Sequence, residues 1–87
     1  MSRKRSHLEI FAAILRVARH GARKSHIVYQ ANLNFTLIKA YLIELTRSQL
    51  IQGPSHPGKL FTTTAKGVAF INYFEGMNQF TKYPSPH

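Results

Sequence analysis

The stretch from residue 24 to residue 50, KSHIVYQANLNFTLIKAYLIELTRSQL, constrains the fold more than any other part of the sequence. It contains two segments with apolar residues at helical spacing, and only Ala31-Asn32-Leu33 separates them. In the first segment Ile27 and Val28 begin an apolar stripe, and Ser25 is a candidate N-cap. A short helix, a tight turn and a longer helix make up the helix-turn-helix pattern.

The second segment is predicted to be an amphipathic helix that begins after Asn34, a capping residue. Its inward positions are expected to be Phe35, Ile38, Leu42, Leu45 and Gln49. The opposite face carries Thr36, Lys39, Ala40, Ile43 and Arg47. Small, hydrogen-bonding and basic side chains suit a helix that lies in a DNA major groove. The alternative is an ordinary amphipathic pair, such as any small helical domain contains.

The charge balance indicates a polyanionic partner. The chain has twelve Lys and Arg against three Asp and Glu, which gives a formal net charge of +9 over 87 residues. So large an imbalance in one small domain favours nucleic acid. A merely basic protein and a basic face for anionic membranes are the alternatives.

The length predicts one domain with a thin core, because a chain of this size buries only about 60–65% of its unfolded surface. It contains no cysteine, so neither disulfides nor thiolate metal sites are available. No apolar run is long enough to span a bilayer, and no secretory signal is recognisable. We therefore expect a cytoplasmic protein that gains further stability from tight packing or from a partner subunit.

Residues 1–5 form a short basic arm that contains Arg3 and Arg5. An arm of this kind lies along phosphates or in a minor groove when DNA is bound. The alternative is a solvated tail.

A first helix is predicted over residues 6–20. Ser6 and Glu9 have the spacing of a capping box at its start, and Gly21 is the expected residue beyond its end. The apolar side of this helix is wider than one small partner helix can cover. Ala22-Arg23 connects it to the helix-turn-helix segment and could add a very short strand.

A two-stranded hairpin is predicted after the helix-turn-helix segment. The strands are residues 50–52 and 59–63, and the turn-forming loop 53–58 joins them. A ribbon in this position is the wing of a winged helix. His56 at its tip and Lys59 at its root are the side chains best suited to contact DNA, although an ordinary hairpin turn is the alternative.

A last helix is predicted over residues 65–80, with Thr63 and Thr64 as its caps. Gly67 is unfavourable inside a helix, which indicates that the helix approaches the hairpin closely there. The inward face is expected to contain Phe70, Ile71, Phe74 and Met77.

This last helix carries more apolar surface than the core of so short a chain needs, which is typical of an interface. The candidate dimer-interface residues are Val68, Tyr73, Phe74 and Phe80. Residues 81–87 contain two prolines and no periodic pattern, so they are expected to form a flexible tail. The domain itself is then residues 6–80.

Other chemistries find no support in the sequence. The five histidines lack the spacing of a zinc site. Of the three glutamates, Glu9 is the expected cap, and Glu44 and Glu75 are expected on helix surfaces. No phosphate loop or nucleophile signature is present. We therefore expect no metal, no cofactor and no enzymatic activity.

The predicted order of elements is mainly α with a small β-hairpin, and it resembles the small archaeal winged-helix DNA-binding proteins. These include the basic ten-kilodalton chromatin protein of crenarchaea and the short winged helix-turn-helix transcriptional regulators. The resemblance covers residues 6–78. It is carried by Ser6-x-Leu8-Glu9-Ile10, Tyr29-x-Ala31-Asn32-Leu33-Asn34-Phe35, Lys39-x-Tyr41-Leu42-x-x-Leu45, Leu50-Ile51 and Thr64-x-Lys66-Gly67.

The resemblance implies a homodimer whose C-terminal helices pair as an antiparallel coiled coil, with the third helix and the wing facing DNA. Here the last helix has room for only about four turns before the prolines, so it is too short to form a long coiled-coil interface. The first helix, or the apolar patch on the last helix, could form the pairing surface instead.

Together these observations predict a DNA-binding protein, either a transcriptional regulator or a small nucleoid-associated chromatin protein. The alternative is a winged helix that binds another protein within a larger complex. Lys39 and Thr36 are expected to enter the major groove, while Arg23, Lys24 and Ser25 hold a phosphate. The full set of expected DNA contacts is Arg3, Arg5, Arg23, Lys24, Ser25, Asn34, Thr36, Lys39, Ala40, Arg47, His56 and Lys59.

Overall fold

A computed structural model describes residues 5–82, with side chains described for residues 5–77. Four α-helices and one antiparallel hairpin follow each other in the predicted order. They are α1 (His7–Val17), α2 (Lys24–Ala31), α3 (Phe35–Arg47), β1 (Ile51–Ser55), β2 (Leu60–Thr63) and α4 (Ala65–Lys82). The winged helix-turn-helix fold is therefore confirmed.

The first helix begins with the predicted capping box. The Glu9 amide donates to Ser6 Oγ at 3.1 Å, and the Ser6 amide donates to Glu9 Oε1 at 2.8 Å. The α-helix ends at Val17, and a single 3₁₀ turn, Ala18–His20, continues it to Gly21. Gly21 has φ +94°, a backbone conformation that favours glycine, so the predicted end is confirmed.

The core lies where α1 meets α2, α3, α4 and the base of the hairpin. It contains side chains from every one of these elements, and the largest fully buried ones are Ile14, Leu15, Ile27, Ile38, Leu45, Ile51 and Ile71. Because one small core joins all the elements, the helix-turn-helix and the hairpin are held at a fixed distance from each other.

Helix α2 begins one residue before the predicted cap. Ala22 pairs with Phe61 of β2, so the chain is extended up to Arg23, which occupies the N-cap position without a side-chain cap. The prediction that Ser25 caps this helix was therefore wrong, and Ser25 is an exposed residue of the first turn. The pairing of Ala22 confirms the short strand expected in the connector.

The turn between α2 and α3 is stabilised by local backbone geometry. Asn32 adopts the left-handed conformation at φ 57°, and the Leu33 amide donates to the Val28 carbonyl at 2.9 Å. Asn34 Oδ1 then accepts from the Leu37 amide at 2.7 Å, which confirms the predicted cap of α3.

The buried face of α3 differs in part from the predicted one. Ile38, Tyr41, Leu42 and Leu45 are buried. Phe35, the first residue of the helix, is exposed although Ile38 in the same turn is buried, and Gln49 is exposed beyond the end of the helix. Tyr41, which the sequence pattern did not place inside, packs edge-on against Phe11 with ring centroids 5.8 Å apart.

The hairpin is longer on its first strand than predicted. Ile51 pairs with Thr63 and Gln52 with Thr62, and the register then shifts before Ser55 pairs with Leu60. The shift is a bulge at Gly53-Pro54, which re-aims the outer half of the hairpin. The paired outer half therefore extends past residue 52, where the sequence predicted the loop to begin.

Helix α4 starts from one cap rather than two. Thr64 Oγ1 accepts from the Gly67 amide at 3.0 Å, whereas Thr63 is buried and donates to the Leu15 carbonyl at 2.7 Å. The close approach predicted at Gly67 is confirmed, because a Cβ there would lie 2.2 Å from the Leu50 carbonyl oxygen.

The inward face of α4 is shorter than predicted. Ile71 and Phe74 are buried and Phe70 is half-buried, whereas Met77 is exposed, so its assignment to the core was wrong. The helix has 18 residues, or about five turns and roughly 27 Å, one turn more than expected.

Candidate nucleic-acid interface

The outer face of α3 is free of the core along its whole length. Thr36, Lys39, Ala40, Ile43 and Arg47 are all exposed, as predicted. They lie opposite the buried stripe because α3 keeps a regular helical period from Phe35 to Arg47. A ligand that covers this face of α3 could therefore contact all five side chains at once.

An open cleft of about 500 Å³ lies between α3 and the wing. Cations stand on its rim, with Lys24 from α2, and Lys39 and Arg47 from α3. Its floor is apolar. The lining is completed by Leu42, Ile43, Thr46, Gly53, Pro54 and Phe61.

A second hollow joins the start of α2 to the wing tip. It is lined by Arg23, Lys24, Ser25, His56, Gly58 and Lys59. The sequence predicted Arg23, Lys24 and Ser25 as a phosphate site at a helix N-terminus, and His56 and Lys59 as separate DNA contacts on the wing. The structure brings them together, because the Ala22–Phe61 pairing ties the start of α2 to β2.

Lys24 borders both hollows, so it lies between α3 and the wing. The two hollows together form what we call the basic surface. It contains Lys24, Lys39 and Arg47 around the cleft, and Arg23, His56 and Lys59 around the wing. Six side chains that are cationic or can become so therefore lie around two adjoining hollows on one side of the domain.

Arg5 does not extend freely from the domain. Its guanidinium donates to the Ala31 carbonyl at 2.8 Å and to the Asn32 carbonyl at 2.9 Å. Arg5 therefore satisfies carbonyls at the C-terminus of α2, where a cation is favourable, and we correct its assignment as a free DNA-binding arm. Arg3 lies outside the described residues.

Asn34 caps α3 and was also predicted to contact DNA. Its side-chain oxygen accepts from the Leu37 amide as the cap, so its amide nitrogen is the group left to donate to a ligand. Thr46, Pro54 and Phe61 line the cleft although the sequence did not single them out. The signal for Thr46 was present, since it lies one turn after Ile43 on the same side of α3.

The candidate dimer face on α4 is only partly available. Tyr73 is 72% exposed and borders an open hollow with Asn72, Gly76 and Met77. Phe74, by contrast, is 9% exposed and stacks on Phe70 with ring centroids 6.3 Å apart, so it belongs to the core and we correct its assignment. Val68 is half-buried, and the side chain of Phe80 lies outside the described residues.

An ion pair ties α4 to α1. Arg16 Nε donates to Glu75 Oε2 at 2.9 Å, and both side chains are about half exposed. Glu75 offsets the charge of Arg16 locally, and neither residue lines the two hollows of the basic surface. Arg16 is therefore a useful reference cation outside that surface.

Metal-ligand clusters and membrane-spanning helices are both absent from the part of the chain that the structure describes. Among the described side chains, no group of three or more His, Cys, Asp or Glu is close enough to hold a metal ion. Within residues 5–82, no helix combines the length and the apolar character needed to cross a membrane.

Comparison with known proteins relates this geometry to a family. A family model described as winged helix-turn-helix matches residues 4–82. A comparison with curated proteins finds no match. Among solved structures, the chain is similar to Sso10a-2, a DNA-binding protein from Sulfolobus solfataricus, at 20% sequence identity and a TM-score of 0.81. The similar region covers 90% of this chain and 83% of that one.

Proposed function

Because the chain belongs to the winged helix-turn-helix family, we propose that it binds double-stranded DNA with the basic surface and the outer face of α3. The observation that carries the proposal is the position of Lys24, Lys39 and Arg47 around one cleft beside an exposed helix. The net charge of +9 and the DNA-binding description of the similar Sulfolobus protein support it.

In this mode α3 lies in the major groove and its N-terminal half points to the base edges. Thr36 and Lys39 contact bases, Ala40 allows close approach, and the Asn34 amide nitrogen donates at the mouth of the groove. Arg47, at the far end of α3, contacts the backbone. These contacts give orientation and base selectivity together.

The wing and the start of α2 hold the flanking backbone. Arg23, Lys24 and Ser25 receive one phosphate at the N-terminus of α2, where the helix dipole adds to the two cations. His56 and Lys59 contact the backbone from the wing. A transcriptional regulator and a small chromatin protein would both use this surface, and they differ in the ratio of specific to non-specific affinity.

The experiment that tests this function is a titration of the protein with random-sequence duplex DNA across a salt series. We expect binding in the micromolar range or tighter at about 150 mM salt, with affinity that falls steeply as salt rises. Loss of all duplex binding at that salt concentration would refute the proposal. It would favour the other candidate, a winged helix that binds a protein partner through exposed apolar residues such as Tyr73.

We further propose that the protein forms a homodimer through the exposed face of α4. Tyr73 protrudes beside an open hollow, and an exposed aromatic of this kind is a frequent anchor of protein interfaces. Pairing there would leave the basic surface of each subunit free, since α3 and the wing do not contribute to the hollow.

If the dimer forms through this face, Tyr73→Glu should raise the dimer dissociation constant by about thirtyfold, which is the typical effect of removing an anchor residue from an interface. Sedimentation equilibrium without DNA measures it. The matched control is Tyr29→Glu, because Tyr29 is 82% exposed and lies on α2. Equal effects of the two changes, or none, would exclude this face as the interface.

A further inference from the structure

We propose that Ile43 recognises the 5-methyl group of thymine, which gives the protein a preference for thymine-containing major grooves. The inference rests on the proposed function and specifies which bases the reading helix favours. It starts from an oddity of α3. The middle of its outer face is apolar although cations surround it.

Four exposed residues form one line along α3. Thr36, Ala40, Ile43 and Arg47 are spaced i, i+4, i+7 and i+11, which places them on one stripe of a regular helix. This stripe is directly opposite the buried residues of the same helix. It is therefore the part of α3 that would penetrate deepest into a groove.

Ile43 stands at the centre of this line and is 58% exposed. It also lines the cleft between the rim cations Lys39 and Arg47. Burial of a large aliphatic side chain against a partner lowers the free energy of the complex. The surrounding cations indicate that this partner is a polyanion, which fits DNA better than an apolar protein surface.

The chemistry of the stripe matches one base better than the others. Its first three residues offer two methyl groups and a sec-butyl group, with a single hydroxyl. Guanine is read by Arg or Lys and adenine by Asn or Gln, whereas thymine presents a methyl group that apolar side chains contact. Asn34, at the start of α3, carries a side-chain amide, and its oxygen already accepts from Leu37.

The test compares two duplexes that differ only in those methyl groups. The protein is titrated with an alternating A·T duplex and with the same duplex in which uracil replaces thymine. Burial of one methyl group predicts about fourfold weaker binding to the uracil duplex, and more if several methyl groups are contacted. The ratio of the two dissociation constants is then measured for two variants.

In Ile43→Ala the ratio should fall towards unity. Leu37→Ala is the matched control, because Leu37 is 44% exposed on α3 but lies about a quarter turn away from the stripe, and its ratio should not change. Both substitutions are at exposed sites, so both variants should remain folded.

Three results would overturn the assignment in distinguishable ways. Equal binding of both duplexes by the unaltered protein refutes methyl recognition and leaves DNA binding intact. A ratio that persists in Ile43→Ala assigns the preference to another feature of the complex and removes Ile43. No binding to either duplex refutes the proposed function itself.

Discussion

Replacing Gly67 by alanine should destabilise the protein by about 3 kcal/mol or more, the upper range of overpacking in a closed site. The added Cβ would lie 2.2 Å from the Leu50 carbonyl oxygen and 2.5 Å from Thr63 Cγ2. The first neighbour is backbone and Thr63 is buried, so neither can move aside cheaply. A domain of this size has only about 4–13 kcal/mol of stability in total, so the loss is large.

The matched control is Gly76→Ala in the same helix. Among the described residues, and apart from its chain neighbours and the backbone of its own helix, no atom lies within 4 Å of the Cβ that this change adds. Alanine should therefore stabilise α4 by up to about 1 kcal/mol through helix propensity. Urea unfolding followed by circular dichroism measures both variants, and repeating it at two protein concentrations separates folding from dimer formation. If the two variants had equal stability, α4 would not contact the hairpin as closely as described.

Replacing Gly53 by alanine should weaken both the hairpin and DNA binding. Gly53 has φ +124°, and a Cβ there would lie 2.5 Å from the Leu60 carbonyl oxygen in the opposite strand. Backbone strain of about 1–3 kcal/mol and the overlap add together, so we expect a loss of about 3 kcal/mol or more. Because Gly53 also lines the cleft, distortion of the bulge should lower the affinity for duplex DNA.

Gly58→Ala is the control that separates backbone strain from steric overlap for Gly53→Ala. Gly58 has φ +86°, but its nearest neighbour, Leu60 Cγ, is at an ordinary contact distance of 3.8 Å. The change should therefore cost only about 1–2 kcal/mol, the strain of a left-handed conformation. Equal losses in Gly53→Ala and Gly58→Ala would contradict the tight bulge between β1 and β2.

The order of elements could be predicted from the sequence because each one has a local signal. Ser6 and Glu9 form their capping box within three residues, Asn34 caps α3 at the same range, and Gly67 interrupts an otherwise helical pattern. Such signals depend on residues that are only a few positions apart along the chain. They therefore survive without knowledge of the tertiary structure.

Two of the errors occurred where a distant residue decides the role. Arg5 resembles a free arm until its guanidinium reaches Ala31 and Asn32, 26 and 27 residues away. Thr63 resembles a cap until it donates to the Leu15 carbonyl, 48 residues away. These contacts arise from how the elements pack, and no local pattern encodes them.

The basic surface could be predicted as individual residues but not as a surface. Lys24 and Lys39 were identified from their helix positions, and Lys59 from its place in the hairpin. That Lys24 borders both the α3 cleft and the wing hollow depends on the pairing of Ala22 with β2. Lys24, which lies at the junction of the two hollows, is therefore the residue whose substitution tests the basic surface most directly.

The most direct test of the central claim is the salt dependence of DNA affinity in single-charge variants. Lys24→Ala, Lys39→Ala and the reference Arg16→Ala each remove one positive charge, but only the first two remove it from the basic surface. We predict that the slope of log affinity against log salt becomes shallower by about 1 for Lys24→Ala and for Lys39→Ala, because each lysine neutralises one phosphate. The slope should be unchanged for Arg16→Ala. Unchanged slopes for both lysine variants, or the same change in all three, would contradict this prediction.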